Sequence, residues 1–273
     1  MPAVITHDAF GREVYDSLYM MVGESRDELP AFLLGNQGPD VPFFGVLHPR
    51  TARVWRVGQL LHREQPTSAL AAFRRAVDAI PQRPVAPGAP GAPDASAHDI
   101  ARAYIMGLLC HYLLDSTLHP FIYAQQHALC GAGVAGLGPA GGREVHAEIE
   151  SELDERVLWA KRSTTIRSFD PSRQALAASD AVLDVISALY QRVVSEVFDE
   201  TLPPGAYRLS AKGYRLALRA LWSPTGVKRE LLARVEQLGR RYSYLRAMSH
   251  RDRPLEESIF DNREGAPWFD PDR

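Results

Sequence analysis

Apolar residues recur at helical spacing along nearly the whole chain, whereas the alternating pattern typical of a β-strand is scarce. This spacing predicts helices near residues 9–22, 48–64, 67–80, 98–119, 143–161, 174–199, 210–221 and 226–247. Two stretches rich in Pro, Gly and Ala interrupt the pattern and are predicted to be flexible loops, residues 81–96 and 131–142. No internal repeat is evident. We therefore expect residues 1–273 to form an all-α, single-domain multi-helix bundle.

Composition narrows the class of protein. The chain has 273 residues, 45% of them hydrophobic, and a formal net charge of −2. It is long and apolar enough to build a sizeable core, which excludes a disordered, collagen-like or disulfide-dependent chain. The near-neutral charge argues against a general binder of polyanions.

Three sequence features bear on location. The two cysteines, Cys110 and Cys130, give no disulfide framework and fit a reducing compartment. The first residues lack the basic and then apolar pattern of a signal peptide. The apolar runs all stop short of the roughly 18 residues that a membrane span needs. We therefore expect a cytoplasmic protein.

Charge is unevenly distributed along the chain. Residues 143–200 carry 12 acidic and 7 basic side chains, whereas residues 207–246 carry 10 basic and 2 acidic ones. Lys212, Arg215 and Arg219 share a narrow arc of one predicted helix. That arc would suit phosphate groups or the peripheral contact of the basic region with anionic lipid. It would equally suit a solvated face, or a face docked on the protein's own acidic helix.

The apolar segment 103–123 holds three ionisable residues besides Cys and Tyr, namely His111, Asp115 and His119. Their spacing of four places them within an arc of about 80° on a helix. A buried carboxylate is costly without a partner, so Asp115 is expected to be paired or to bind a metal. The two histidines lie roughly 12 Å apart along the axis and cannot easily share one ion. The spacing suggests a polynuclear site with Asp115 as the bridge, although Pro120 disfavours helical geometry at His119.

Five further residues offer metal ligands, and each has an ordinary alternative. His146 and Glu150 flank an apolar stripe at a spacing of four and would also suit a surface pair. Asp40 belongs to a Gly-Pro-Asp turn and could serve only to form that turn. His48 could begin a helix, and His7 could be an N-terminal surface group.

Together these motifs resemble the zinc-dependent phospholipases C of bacteria, which are related more distantly to S1/P1-type nucleases. The resemblance rests on His7 in a Thr-His-x2-Phe opening, Gly38-Pro39-Asp40, His48, His111-x3-Asp115 with His119-Pro120, and His146-x3-Glu150. The motifs follow the order of the family's ligands and span residues 7–150. In that family, a mostly helical single domain holds three zinc ions at the bottom of a cleft.

The resemblance implies a role for each of these residues. The implied ligands of one ion are Asp40, His48, His111 and Asp115. The implied ligands of a second ion are His119, His146 and Glu150. His7 resembles a ligand of a third ion, with Asp115 bridging it to the first. We therefore expect two or three zinc ions, in sites that would also accept other divalent transition metals.

The resemblance also implies an enzyme that hydrolyses a small phosphoester or a phospholipid head group, with metal-activated water attacking phosphorus. Asp40 is the residue expected to orient that water. One alternative is an S1/P1-type nuclease that stacks a base on Phe43, Phe44 or Phe121, side chains that equally suit a core. The other is a helical metal-binding protein without activity. His127 is an alternative ligand for the second ion.

Overall fold

The computed structural model describes residues 3–82, 94–132, 138, 141–239 and 243–253. The described residues are 76% helical and form no β-strand, which confirms the all-α prediction. The α-helices are α1 (Val4–Val22), α2 (Glu28–Gln37), α3 (Trp55–Arg63), α4 (Pro66–Asp78), α5 (Ala97–Gly131), α6 (Gly142–Arg162), α7 (Pro171–Gln174), α8 (Asp180–Phe198), α9 (Ala206–Leu221), α10 (Val227–Glu236) and α11 (Tyr244–Ala247). Two 3-10 segments, Gly38–Leu47 and Pro49–Thr51, connect α2 to α3.

The chain divides into two compact units. Unit 1 comprises Met1–Ala9, Leu113–Pro171 and Leu218–Arg273, and unit 2 comprises Phe10–Tyr112 and Ser172–Ala217. The boundaries fall inside α1, α5, α7 and α9 rather than in linkers. The expectation of a single domain over residues 1–273 stays a prediction.

Unit 2 has an aromatic core. Tyr104, Tyr190 and Tyr207 are buried, with the Tyr190 ring centroid 6.1 Å from that of Tyr104 and 4.7 Å from that of Tyr207. The hydroxyls of Tyr104 and Tyr190 share a hydrogen bond of 2.8 Å. Helix α5 approaches α2 closely at Gly107, where a Cβ atom would lie 1.9 Å from the carbonyl oxygen of Phe32. Only glycine therefore fits at this crossing.

Unit 1 is organised around α6. The apolar stripe of this helix, with Val145 and Ile149, packs on Ile122 of α5. Another part of α6 binds the C-terminal described residues, since Arg251 donates hydrogen bonds to Glu155 at 2.8 Å and to Glu148 at 2.7 Å. The helix thereby joins a hydrophobic core to a charged network.

Several predicted boundaries differ from the observed ones. Helix α5 continues through Pro120 to Gly131 instead of ending at residue 119, although a proline inside a helix lacks the backbone N–H donor and crowds the carbonyl of the preceding turn. The predicted helix 226–247 is instead the separate helices α10 and α11. Residues 28–47, for which no helix was predicted, form α2 and a 3-10 segment. Most of the two predicted loops, namely residues 83–93, 133–137, 139 and 140, lies outside the described residues.

The basic arc of α9 is engaged with other parts of unit 2 at two of its three positions. The Lys212 ammonium lies 2.8 Å from the Asp180 carboxylate of α8, and the Arg215 guanidinium donates to the Ser172 carbonyl oxygen at 3.1 Å. Lys212 thus contacts an acidic helix of the protein itself, which was one of the alternatives predicted for the basic arc. No helix in the described part of the chain combines the length and the apolar run that crossing a membrane would require.

Candidate metal centres

Unit 2 brings Asp40, His62 and His111 together. One possible ligand atom from each residue lies within 4.8 Å of the other two. The His62 Nε2 atom lies 3.2 Å from an Asp40 carboxylate oxygen, and the rings of His62 and His111 meet edge to face at 5.7 Å. Ligands bound tetrahedrally at about 2.1 Å are about 3.4 Å from one another, so only small side-chain movements separate this group from a zinc site.

Backbone carbonyls orient both histidines of this group. The Nδ1 atom of His62 lies 2.6 Å from the Gly58 oxygen, and that of His111 lies 3.0 Å from the Asn36 oxygen. A carbonyl oxygen can only accept a hydrogen bond, so Nδ1 must carry the proton in each ring. In a neutral imidazole the Nε2 atom then presents its lone pair. This is the arrangement in which histidine binds a metal.

The His62–Asp40 contact follows from this orientation. A neutral His62 would direct its lone pair at a carboxylate oxygen 3.2 Å away, which is repulsive. The contact is favourable only if a proton or a metal cation lies between the two atoms. Burial by itself raises the pKa of Asp40, but the hydrogen bond and the charge of His62 outweigh it and hold that pKa well below its usual range.

The 3-10 segment that carries Asp40 begins at a strained position. Gly38 has φ of 41°, and a Cβ atom there would lie 3.0 Å from the Cγ atom of His111. The Tyr190 hydroxyl donates to the Gly38 carbonyl oxygen at 3.2 Å. Glycine at this position lets the turn approach α5, which places Asp40 beside His111.

His48, which the resemblance places with Asp40, has another role in the structure. Its Nδ1 atom accepts a hydrogen bond of 3.2 Å from the Arg50 backbone amide, between the two 3-10 segments. Among the described residues, the groups of closely spaced ligand atoms do not include His48. The structure places His62 of α3 beside Asp40 instead.

Unit 1 brings His119, His146 and Glu150 together. One possible ligand atom from each again lies within 4.8 Å of the other two. His146 Nε2 is 3.2 Å from a Glu150 oxygen, and the rings of His119 and His146 are 5.8 Å apart. The Gln126 side-chain oxygen lies 2.9 Å from His146 Nδ1, so it holds this ring as the carbonyls hold those of unit 2. The structure therefore gathers the predicted ligands of the second ion.

Electrostatics in this group suit metal binding. Burial lowers the pKa of His119 below its usual value, more than Asp115 and Glu150 raise it, which favours the neutral imidazole. For Glu150, burial by itself raises the pKa, but nearby positive charges that include His146 lower it to about 2. A neutral histidine and an ionised carboxylate are the protonation states that a divalent ion requires.

Asp115 lies between two histidines of unit 1. A carboxylate oxygen of Asp115 is 3.2 Å from His7 Nε2, and the other is 3.9 Å from His119 Nε2. Helix α5 stays helical past Pro120, so His119 keeps its position one turn beyond Asp115. The carboxylate is therefore within reach of two separate imidazoles, as a bridging ligand would be. The predicted bridge between two ions stays a prediction.

The buried Asp154 of α6 fixes the first turn of α1, which carries His7. Its carboxylate accepts hydrogen bonds from the backbone amides of Ile5 at 3.2 Å and Thr6 at 2.7 Å. It also accepts from the Thr6 hydroxyl at 2.7 Å and contacts His250 Nε2 at 2.9 Å. Because α6 also carries His146 and Glu150, one helix supplies two candidate ligands and anchors the segment that carries His7.

Sequence reasoning missed His62 and Gln126. His62 follows the buried Val54 and Gly58 at intervals of four, so it extends the buried face of α3. Gln126 lies seven residues after His119 on the same face of α5. These helical intervals are the signals that could have found both residues. His127, the alternative ligand, is exposed.

The aromatic side chains considered for base stacking pack inside their own units. Phe44 is buried and stacks on Tyr214 with ring centroids 3.8 Å apart. Phe121 packs against the cluster of Ile122, Val145 and Ile149. Phe43 lies against the His62 ring at 5.4 Å.

Comparison with known proteins adds no relative: no protein-family model, curated protein or solved structure matches this chain.

Proposed function

We propose that the protein is a metal-dependent phosphoester hydrolase that resembles the zinc-dependent phospholipases C. The observation that carries the proposal is the pairing of oriented histidines with carboxylates. In the pairs His62–Asp40 and His146–Glu150, the Nδ1 atom of the imidazole is already hydrogen-bonded to an oxygen. In each pair the Nε2 atom lies 3.2 Å from a carboxylate oxygen. A divalent cation between the two groups satisfies both of them.

The donor sets fit zinc. Two imidazoles and one carboxylate, the composition of both groups, make three protein ligands and leave a position open for water or substrate. The groups would hold one ion at Asp40, His62 and His111 and another at His119, His146 and Glu150. The pair His7 and Asp115 would contribute to a third. Other divalent transition metals are accepted by the same ligands.

A divalent ion in such a site lowers the pKa of bound water and neutralises phosphoryl oxygens. The chain's own residues prepare the site in unit 1. Gln126 holds the His146 ring, and the Tyr123 ring lies against both imidazoles, 5.3 Å from His119 and 5.4 Å from His146. In unit 2, the ionised Asp40 remains our proposed residue for orienting the attacking water.

The proposed substrate is a small phosphoester or a phospholipid head group. The nuclease alternative receives no support from Phe44 and Phe121, whose rings are used in packing. We keep the cytoplasm as the proposed location, which the two free cysteines support.

Metal analysis together with a hydrolysis assay tests the proposal. The protein is loaded with zinc, dialysed and assayed for zinc, and hydrolysis of a phosphocholine ester, a chromogenic phosphodiester and single-stranded DNA is measured with and without EDTA. We expect retained zinc and EDTA-sensitive hydrolysis of the two small esters. Glu150→Gln should lose zinc and at least about a hundredfold in rate, whereas the exposed His127→Gln on the neighbouring helix should change neither.

Each alternative has its own result in this assay. A preference for single-stranded DNA would favour the nuclease. Retained zinc without hydrolysis of any of the three substrates would favour the metal-binding protein without activity. If the protein retains no zinc and shows no EDTA-sensitive hydrolysis, the proposal is overturned altogether.

A further inference from the structure

One face of α10 carries a stripe of exposed apolar side chains. They are spaced by four, four and three residues, intervals at which side chains share one face of a helix. Each of them is between 59% and 90% exposed, namely Val227, Leu231, Val235 and Leu238, the last of which lies just past the end of the helix. At about 100° per residue they fall within an arc of about 80°. Single exposed apolar residues are ordinary, but a continuous stripe, here called the α10 stripe, marks an interaction surface.

The opposite face of α10 fixes the helix to the rest of unit 1. Arg229 and Ala233 are buried on that face. The Arg229 guanidinium donates to the Ser249 carbonyl oxygen at 2.7 Å, and the Arg229 backbone amide donates to the Ser223 hydroxyl oxygen at 3.0 Å. The helix is therefore held with the α10 stripe directed away from the core of unit 1.

Basic residues border the α10 stripe on both sides. Lys228 and Arg234 each lie about 20° beyond one edge of the stripe on the helix. The Lys228 ammonium donates to the Arg219 carbonyl oxygen at 3.1 Å, an uncharged partner that leaves the charge uncompensated. Arg234 is exposed, and within the described parts of the chain neither cation has a carboxylate partner. The apolar stripe thus has a positive charge at each edge.

The other charges near the α10 stripe do not cancel those of its borders. The exposed acid of α10, Glu230, has a carboxylate oxygen 3.1 Å from the Arg229 guanidinium and 3.4 Å from that of Arg246. Two guanidinium groups therefore compensate this one carboxylate. Glu236 is half-buried and lies on the other side of the helix, whereas Arg219, the third residue of the basic arc of α9, is exposed. The surface around the stripe therefore carries a net positive charge.

A second copy of the chain does not suit this surface. Two such surfaces would bring their basic borders together, and like charges repel each other. The stripe is also small, because a helix of ten residues is only about 15 Å long. Stable protein–protein interfaces bury about 800 Å² on each partner, which four side chains do not provide.

An anionic lipid surface fits both the apolar and the charged features. Apolar side chains of a helix that lies on a bilayer enter the boundary between head groups and acyl chains. Lysine and arginine side chains beside them stay at the level of the phosphate groups and are attracted by anionic lipids. The α10 stripe with its two basic borders has this arrangement of side chains.

We propose that the α10 stripe and its basic borders dock the protein on an anionic lipid surface. Val227, Leu231 and Val235 enter the upper part of the acyl layer, and Lys228 and Arg234 contact lipid phosphates. Because one short helix provides the contact, the binding is reversible and weakens with ionic strength. The inference concerns a docking surface, and it does not depend on the metal centres or on hydrolytic activity.

Sedimentation of the full chain with lipid vesicles tests the inference. Vesicles made of equal parts of phosphatidylcholine and phosphatidylglycerol are compared with vesicles of phosphatidylcholine alone, in EDTA so that no metal ion bridges protein and phosphate. We expect saturable binding to the mixed vesicles, weakened by added NaCl. Binding to phosphatidylcholine alone should be at least about tenfold weaker, because the basic borders then meet no anionic surface.

Single substitutions separate the apolar contribution from the charged one. Leu231→Gln removes an apolar side chain from the stripe and should weaken binding to the mixed vesicles at least about fivefold. Arg234→Gln removes one charge and should weaken it about fivefold. The matched control is Leu109→Gln, the same substitution at a leucine of α5 that is 50% exposed, and it should bind like the wild type. All three positions are exposed, so the variants should fold, which circular dichroism checks.

Several results would overturn the inference. They are the absence of saturable binding to the mixed vesicles, equal binding to both kinds of vesicle, and equal binding by the wild type and by Leu231→Gln. Sedimentation velocity of the lipid-free protein tests the other occupant of the stripe. A dimer that dissociates in Leu231→Gln would assign the stripe to a second copy of the chain and would overturn docking on lipid.

Discussion

Replacement of Asp154 by alanine should destabilise unit 1 strongly, because this carboxylate is fully buried and has four polar partners. The substitution leaves His250 buried without its partner and frees the backbone amides of Ile5 and Thr6. Removing one member of a buried charged pair costs about 3–5 kcal/mol. The freed amides lie at a helix start that water can reach once the side chain is gone, so we expect a total near 4 kcal/mol rather than a larger sum. Asp154→Asn keeps the shape and one acceptor oxygen and should lose about 2 kcal/mol.

Urea unfolding followed by circular dichroism measures these differences. The control is Asp184→Ala, which removes an exposed carboxylate that lies 2.9 Å from Arg208. An exposed pair contributes at most about 1 kcal/mol, so this variant should unfold nearly like the wild type. If Asp154→Ala also stays within about 1 kcal/mol of the wild type, Asp154 does not anchor the first turn of α1.

Three further predictions concern the turn and the titratable groups. Gly38→Ala should cost about 1–2 kcal/mol in urea unfolding and reduce zinc retention, because φ is 41° there and the new methyl group would press on His111. Burial by itself lowers the pKa of His250, but the contact with Asp154 outweighs burial and raises that pKa above 6.5. The pair therefore stabilises the folded protein fully below about pH 6.5, and this stabilisation is lost as pH rises through the raised pKa. Unfolding free energies from about pH 6 to about pH 9 should fall for the wild type and change less for His250→Gln; equal slopes would contradict this. The Glu150 carboxyl has a pKa of about 2 instead of the usual 4.5, because nearby positive charges outweigh the effect of its burial. The ionised carboxylate therefore stabilises the folded protein above about pH 4.5, and this stabilisation is lost as pH falls towards 2. Acid titration of the metal-free protein should show this loss, and Glu150→Gln should remove it.

Helical periodicity predicted most of the long helices, because each of them buries one apolar face. Prediction failed where the local sequence favours a different structure from the one that tertiary packing stabilises. Residues 28–47 contain three prolines and three glycines, which obscure a helical pattern, yet the segment folds against α5 through close backbone contact. Pro120 suggested an end to α5, but the hydrogen bonds on either side of it carry the helix to Gly131.

The candidate site was predictable where both partners lie on one helix. His146 and Glu150, and likewise Asp115 and His119, are one turn apart, and a spacing of four is enough to place them together. His62 could not be found in this way, since its approach to Asp40 depends on how α3 packs on the 3-10 segment. His48 is nearer to Asp40 in sequence, but its side chain caps a local turn instead.

Anomalous diffraction from crystals soaked in zinc tests the existence of the metal centres most directly. We predict a peak within about 2.0–2.2 Å of His119 Nε2, His146 Nε2 and a Glu150 oxygen, and another at Asp40, His62 and His111. The first peak should disappear in Glu150→Gln crystals. Zinc peaks confined to exposed histidines such as His127, with none at either group, would show that neither group is a metal centre.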